Sequence, residues 1–278
     1  MLIKSYSKIN FTLRVNFKSK SGLHEIQSLY CLINLFDKIK IKKIKKNKDK
    51  ISFIGPFANL VKNRNNSVHN LLKRLRELNL ISNNYSIIIT KNIPVFGGLG
   101  GGSSNAAFIL KYLLKNKINN TLLNKLENVI GSDLKLFFYS QGFLKNLKTI
   151  LQLKKKQKFY FILIQPKIKC STREIYSAVS NFSIKEKFDK KMINSRNKFI
   201  DYLSKRRNDL QFVVERKYPI VKKLLIDISA EKGCYFSRIS GSGSVCYGLF
   251  DNENNAKKAL YKIKTKYPKF WLSLAKTV

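Results

Sequence analysis

Acidic side chains are scarce in this chain: 16 Asp and Glu stand against 55 Lys and Arg in 278 residues, a formal net charge of +39. Cysteine is sparse too. The four thiols, Cys31, Cys170, Cys234 and Cys246, form no C-x-x-C pair. That argues against a disulfide-stapled scaffold and a cysteine zinc site, and it fits a reduced, cytoplasmic compartment. Long apolar runs are missing, so no segment reads as a membrane span. The first residues run straight into strand-like alternation, with no apolar signal core and no small-residue cleavage site. The basic excess would ordinarily point to nucleic acid. Here the lysines are spread along the whole chain and accompany abundant Asn and Ile. All three have A- and T-rich codons, so an A+T-rich coding sequence produces this composition without a nucleic-acid partner. No specific nucleic acid and no membrane are expected.

What the chain does have is glycine in one place. Residues 94–107 read Pro-Val-Phe-Gly-Gly-Leu-Gly-Gly-Gly-Ser-Ser-Asn-Ala-Ala. Upstream lies a β-rich run, 85–91. Downstream, Ala106, Ala107, Ile109, Leu110 and Leu113 recur at helical spacing. Glycines between a strand and a helix N-terminus make an anion cradle: the helix offers unpaired N–H groups and a positive dipole end, and no Cβ stands in the way. The loop is not a Walker A motif, because no Lys follows the last Gly. It is not a dinucleotide fingerprint either, since Ser103 stands where the third Gly belongs. A flexible linker would not be flanked so tightly by regular structure.

The remaining patterning gives alternating helices and strands. Ile9, Phe11, Leu13 and Val15 alternate as a half-buried strand, 19–22 is a turn, and 26–35 and 38–44 are further strands. Ser67 caps a helix carrying Val68, Leu71, Leu72, Leu75 and Leu78. A helix over 121–130 ends at Gly131, and 136–139 is a short apolar strand. A basic, uneven stretch at 145–158 is the expected boundary between domains 1–152 and 158–278. Beyond it come a strand at 159–164 and a capping box from Ser171 to Glu174. Helices follow over 194–203, 209–217 and 219–231. Strands at 235–239 and 245–250, a helix near 254–265 and a strand at 270–275 close an α+β chain.

The glycine string resembles the second motif of the GHMP small-molecule kinases, and other segments match that family in order. Ser7-Lys-Ile-Asn10 resembles its first motif, Ala-Lys-Ile-Asn. Gly22-Leu-His-Glu-Ile-Gln27 resembles Gly-Tyr-His-Glu-Leu-Gln, with Leu23 replacing Tyr. Gly131-Ser-Asp-Leu134 resembles Gly-Ala-Asp-Val, with Lys135 replacing the usual Pro. Thr172 and Tyr176, Asn208-Asp-Leu210 and Ser240-Gly-Ser-Gly-Ser244 complete the set.

The resemblance implies a two-domain α+β fold, an N-terminal half like ribosomal S5 domain 2 and a C-terminal ferredoxin-like half. It implies ATP as phosphoryl donor with Mg2+, and an alcohol as acceptor. The segment at 24–27 points to the branch whose alcohol is 4-diphosphocytidyl-2-C-methyl-D-erythritol, phosphorylated on its 2-hydroxyl. Lys8 and Asp133 are then catalytic, Asp133 as general base and Lys8 steadying the incipient alkoxide. Pro94, Val95, Phe96, Gly97, Gly98, Leu99, Gly100, Gly101, Gly102, Ser103 and Ser104 hold ATP, Ser104 also being the candidate metal contact. Asn10, His24 and Tyr176 bind substrate, the last two at the cytosine. The expected assembly is a monomer or weak homodimer. A homoserine- or mevalonate-type kinase would share the loop without the 24–27 segment. A nucleic-acid binder on a related fold would account for the charge but leave Lys8, Asp133 and the loop unused.

Overall fold

The computed structural model describes every residue except Met1, Lys20, Ser21, Asn63, Lys154 and Asn194, together with the side chain of Lys190. In chain order the first elements are β1 (Leu2–Asn10), β2 (Arg14–Lys18), β3 (His24–Ile44), β4 (Lys50–Ile54), α1 (Ser67–Glu77), β5 (Asn84–Thr90), α2 (Gly101–Leu114), α3 (Asn120–Ile130), β6 (Gln141–Asn146) and β7 (Thr149–Gln152). There follow β8 (Tyr160–Gln165), α4 (Thr172–Ser177), α5 (Arg196–Ser204), α6 (Leu210–Lys217), α7 (Pro219–Ser229), β9 (Cys234–Ile239), β10 (Cys246–Phe250), α8 (Glu253–Lys266) and β11 (Trp271–Lys276).

Several expectations change. The alternation at 9–15 is real, with Ile9, Phe11, Leu13 and Val15 all buried, but it spans the end of β1 and the start of β2. The central residues of the turn at 19–22 lie outside the described ones; the Gly22 N–H donates to Ser19 O. Residues 26–35 and 38–44 are one strand, β3. Its early part pairs with β6 and its late part with β5, so different neighbours support its two ends. The late part has one dry face: Ile39 lies opposite Ile89 and Ile41 opposite Ile87, all buried. Residues 134–138 form a 3-10 turn rather than a strand. A short apolar run reads either way from periodicity. Here Leu134, Leu136 and Phe137 are all buried and the turn packs on α2 and α3. The stretch at 145–158 contains β7, the second strand of a hairpin. Its turn is held by Asn146 Oδ1, which accepts from the Lys148 and Thr149 N–H groups at 3.0 and 2.8 Å.

The chain packs as two units, each assembled from separate segments. The first takes Met1–Lys8, Leu35–Val95 and Gly100–Ser140. In it β4 runs parallel to β5, and β5 antiparallel to β3. Helices α1, α2 and α3 pack together and bury Leu71, Leu72, Leu75, Ala106, Leu110 and Leu126. Each such Leu contributes about 1.5–3 kcal/mol over exposure. Asn66, one residue before the expected Ser67, caps α1; its Oδ1 accepts from the Val68 and His69 N–H groups.

The second unit takes Ile9–Asn34, Phe96–Leu99 and Gln141–Val278. Its antiparallel sheet has the order β11-β8-β10-β9. Helix α7 lies on β9 and β10, and α8 on β8 and β11. That is the β-α-β-β-α-β ferredoxin-like arrangement. Arg238 is buried in this unit and donates to the Phe11 and Leu203 carbonyls at 2.8 and 2.6 Å, so its charge does not lie loose in the core.

Candidate active site

In the first unit, β1 delivers Lys8 and the turn after α3 delivers Asp133. Lys8 Nζ lies 3.5 Å from Asp133 Oδ2; the Lys side chain is 4% exposed and the Asp side chain 33%. A buried ammonium needs a counter-charge, and Asp133 supplies it while keeping a face open. Gly100 starts α2 against this pair. Its φ is +69°, and a Cβ there would lie 2.8 Å from Phe137 Cζ and 3.3 Å from both Asp133 Oδ2 and Lys8 Cε. Only glycine allows both that backbone conformation and that approach. Gly100 gives α2 no side-chain cap, so the first-turn N–H groups are left for a ligand.

The two serines after the glycines differ. Ser104 is fully buried; its hydroxyl donates to Tyr6 O at 2.5 Å and lies 2.6 Å from Ser5 Oγ. It seats α2 on β1. Ser103 is half-buried and is the loop serine that faces outward.

Sequence reading missed a second ion pair under the loop. Lys91 and Asp37 form a buried salt bridge, with side chains 4% and 0% exposed. Asp37 Oδ1 also accepts the Asn92 and Ile93 N–H groups at 2.7 and 2.9 Å. One carboxylate thus fixes the chain entering the loop and the ammonium beside it. A Cβ on Gly101 would lie 3.3 Å from Lys91 Nζ, which places that charge at the head of α2. The available signal was Asp37 itself, the lone acidic residue between Glu25 and Asp49.

Lys135, where the family pattern has Pro, is also buried. Its Nζ meets Glu127 Oε2 at 2.6 Å and donates to Asn124 Oδ1 at 2.5 Å. The departure is thereby absorbed by α3. Burial pushes the Glu127 carboxyl above its ordinary range, against the pull of Lys135.

In the second unit, residues 240–244 clasp the early part of the loop. Ser240 Oγ donates to Gly98 O at 3.0 Å, and the Ser244 N–H donates to Phe96 O at 2.9 Å. Gly98 has φ +69°, and a Cβ there would stand 1.9 Å from Ser240 O. Asn208 supports the clasp by donating to Ile239 O and Gly241 O at 3.1 and 2.8 Å. Its neighbour Asp209 accepts the Val15 N–H at 2.9 Å. The Asn-Asp-Leu segment is structural. Asn10 is buried, with its Nδ2 donating to Ser28 Oγ at 2.7 Å.

His24 and Tyr176 meet in the same unit, ring centroids 5.2 Å apart and tilted by 39°. Both are half-buried. Burial first, and the Lys18 charge second, lower the His24 pKa below 6.5, so the imidazole is neutral at pH 7. Thr172 Oγ1 lies 2.9 Å from Ser242 Oγ, tying the start of α4 to residues 240–244.

The family models for the N-terminal and C-terminal domains of GHMP kinases match residues 59–135 and 186–269. A 4-diphosphocytidyl-2-C-methyl-D-erythritol kinase of Pelagibacter ubique is 36% identical, over 99% of this chain and 98% of its own. One from Anaplasma marginale is 31% identical, over 97% and 94%. Among solved structures, a 4-(cytidine 5'-diphospho)-2C-methyl-D-erythritol kinase superposes with a TM-score of 0.76 at 22% identity, covering 99% of both chains. Homoserine kinase from Cytophaga hutchinsonii gives 0.66 at 16% identity, covering 98% of this chain and 94% of that one. Identity over nearly the full length, both domain matches and the shared fold place the chain: it belongs to the 4-diphosphocytidyl-2-C-methyl-D-erythritol kinase family within the GHMP kinases.

Proposed function

We propose that this chain transfers the γ-phosphoryl group of ATP to the 2-hydroxyl of 4-diphosphocytidyl-2-C-methyl-D-erythritol. The observation that carries the reading is Gly100 set against the Lys8–Asp133 pair, which joins an uncapped helix N-terminus to a carboxylate and an ammonium. Phosphoryl transfer depends on positioning and charge stabilisation more than on covalent help from the protein. Asp133 accepts the proton of the attacking hydroxyl, and Lys8 steadies the alkoxide as it forms. The N–H groups at the head of α2, with Lys91 beside them, hold the phosphates. His24 and Tyr176 hold the cytosine, one by its edge and one by its face.

Among the described residues no group of three or more His, Cys, Asp or Glu could hold a metal ion. The donors present at the head of α2, the Asp133 carboxylate and the Ser103 hydroxyl, are hard oxygens that suit Mg2+ riding on phosphates. Bound there, Mg2+ would neutralise phosphate charge. Ser104 contributes to packing instead. Residues 1–152 carry ATP and catalysis in this reading, and 158–278 contribute to the substrate. No helix among the described residues is long and apolar enough to cross a membrane.

The test is ADP release by the purified chain with ATP, Mg2+ and each of 4-diphosphocytidyl-2-C-methyl-D-erythritol, homoserine and mevalonate. Turnover with the first alone is expected, with the new phosphate ester visible by phosphorus NMR. Turnover with homoserine or mevalonate instead would replace the reading by another GHMP activity.

A further inference from the structure

We propose that Phe182 is a further substrate-binding residue for the nucleobase end of the substrate, forming an aromatic site with His24 and Tyr176. The inference rests on the function proposed above and deepens it. Phe182 lies in an irregular segment between α4 and α5, yet it is not loose. The Ser183 N–H donates to Val15 O at 2.8 Å, and Asn16 Nδ2 donates to Ser183 O at 2.9 Å. Glu186 then anchors the segment further on: its N–H and carbonyl pair with the Gln27 amide at 2.7 and 3.0 Å. Its carboxylate meets Arg206 at 2.6 Å and accepts from Tyr202 at 2.8 Å.

A segment held at so many points places its side chains reproducibly. What it places beside His24 is a phenyl ring that stays 46% exposed. The Phe182 centroid is 6.3 Å from the His24 ring at 32°, alongside the 5.2 Å approach of Tyr176. Phe182, held against the half-buried His24 ring, keeps nearly half of its own apolar surface open. A flat, partly polar heterocycle fits that demand: its face stacks on the rings while its edge meets a neutral imidazole. Tyr176 on α4 and His24 on β3 already form one such grouping; Phe182 adds a third ring from the segment after α4. Base–aromatic stacking tolerates any base, so Phe182 contributes affinity for a base while the His24 edge selects among bases.

The experiment compares the wild type with Phe182→Ala, Phe182→Leu and Phe182→Trp. It reads KM for the diphosphocytidyl substrate, KM for ATP, and the Kd of CDP by calorimetry. Phe182→Ala should raise the first KM and the CDP Kd together, each roughly tenfold, the scale of one lost base stack. KM for ATP should move less than twofold. Phe182→Trp should keep tight binding, whereas Phe182→Leu, apolar but without a π face, should resemble Ala. The proposal is overturned if the Ala variant binds CDP as the wild type does, or if Leu and Trp are equally good. Absence of wild-type turnover with intact CDP binding would sink the kinase reading and leave the Phe182 comparison decisive. Absence of both would remove the base site and Phe182 with it.

Discussion

Lys8 Nζ stands 3.5 Å from Asp133 Oδ2, an ion pair with a buried cation and an open carboxylate. The open carboxylate is accessible to an incoming hydroxyl. Asp133→Asn should lower kcat by roughly two to four orders of magnitude, the range for loss of a general base, with ATP affinity little changed. Lys8→Ala should act similarly, and the double variant should cost less than the sum because the pair works as a unit. Near-normal kcat in Asp133→Asn would remove the residue from the mechanism.

Gly101 gives a test of the cradle. A Cβ there already meets Ile93 Cγ2 at 3.1 Å and Lys91 Nζ at 3.3 Å. Gly101→Val adds two branches at the helix head, where phosphates would approach. Calorimetry should find ATP binding abolished, while circular dichroism shows a folded chain. Retained nucleotide affinity would mean that the phosphates lie elsewhere.

The Lys91–Asp37 pair predicts a separation of stability from function. Asp37→Ala leaves Lys91 buried without its counter-charge and two loop N–H groups without their acceptor. Breaking such a pair on one side costs about 3–5 kcal/mol, to be read by urea denaturation. Replacing both residues, Asp37→Asn with Lys91→Gln, removes both charges but keeps an oxygen acceptor for the two N–H groups, and should recover much of that stability but not ATP affinity. If the double variant binds ATP normally, Lys91 plays no part at the phosphates.

His24 predicts a pH dependence of known sign. Its folded pKa lies below 6.5, lowered first by burial and then by Lys18. The neutral form, and the stability that goes with it, is therefore present above pH 6.5 and is lost as pH falls through the folded value. KM for the diphosphocytidyl substrate should stay flat from pH 8 to 6.5 and rise only below. Lys18→Met should shift the rise towards higher pH, and His24→Gln should erase it. A rise centred above pH 6.5 would contradict the burial of this imidazole.

Leu23 is 60% exposed beside His24. Leu23→Tyr should tighten substrate binding by up to about 1 kcal/mol beyond area burial, and by more when Phe182 is already Ala. Unchanged Kd in both backgrounds would place Leu23 away from the base.

Much of this protein was legible in the order of its residues. The glycine loop, the helix behind it and the C-cap at Gly131 follow from local rules: which residues tolerate positive φ, which spacing makes a helix face. Ser171 caps α4, its Oγ accepting the Glu174 N–H at 3.4 Å, but the capping box is only half made, because the Glu174 carboxylate pairs with Lys217. Motif order carried the family, because each segment keeps its residue types whatever the chain does between them.

Tertiary structure decided what lies between distant residues. Asn34 and Asp37 look like an interruption of a strand, yet β3 runs through both: Lys91 and two loop N–H groups satisfy Asp37. Those partners are more than fifty residues away, and no local pattern encodes them. The apolar run at 134–138 became a 3-10 turn because α2 and α3 offered it a surface, which overrides a weak strand preference. Phe182 has no periodicity to announce it; only the anchoring of its segment through Ser183 and Glu186 sets its ring beside His24. The sequence by itself determined backbone conformation and family, since these depend on near neighbours. Which charges pair in the core and which rings meet depends on strand register and packing, and those exist only once the chain has folded.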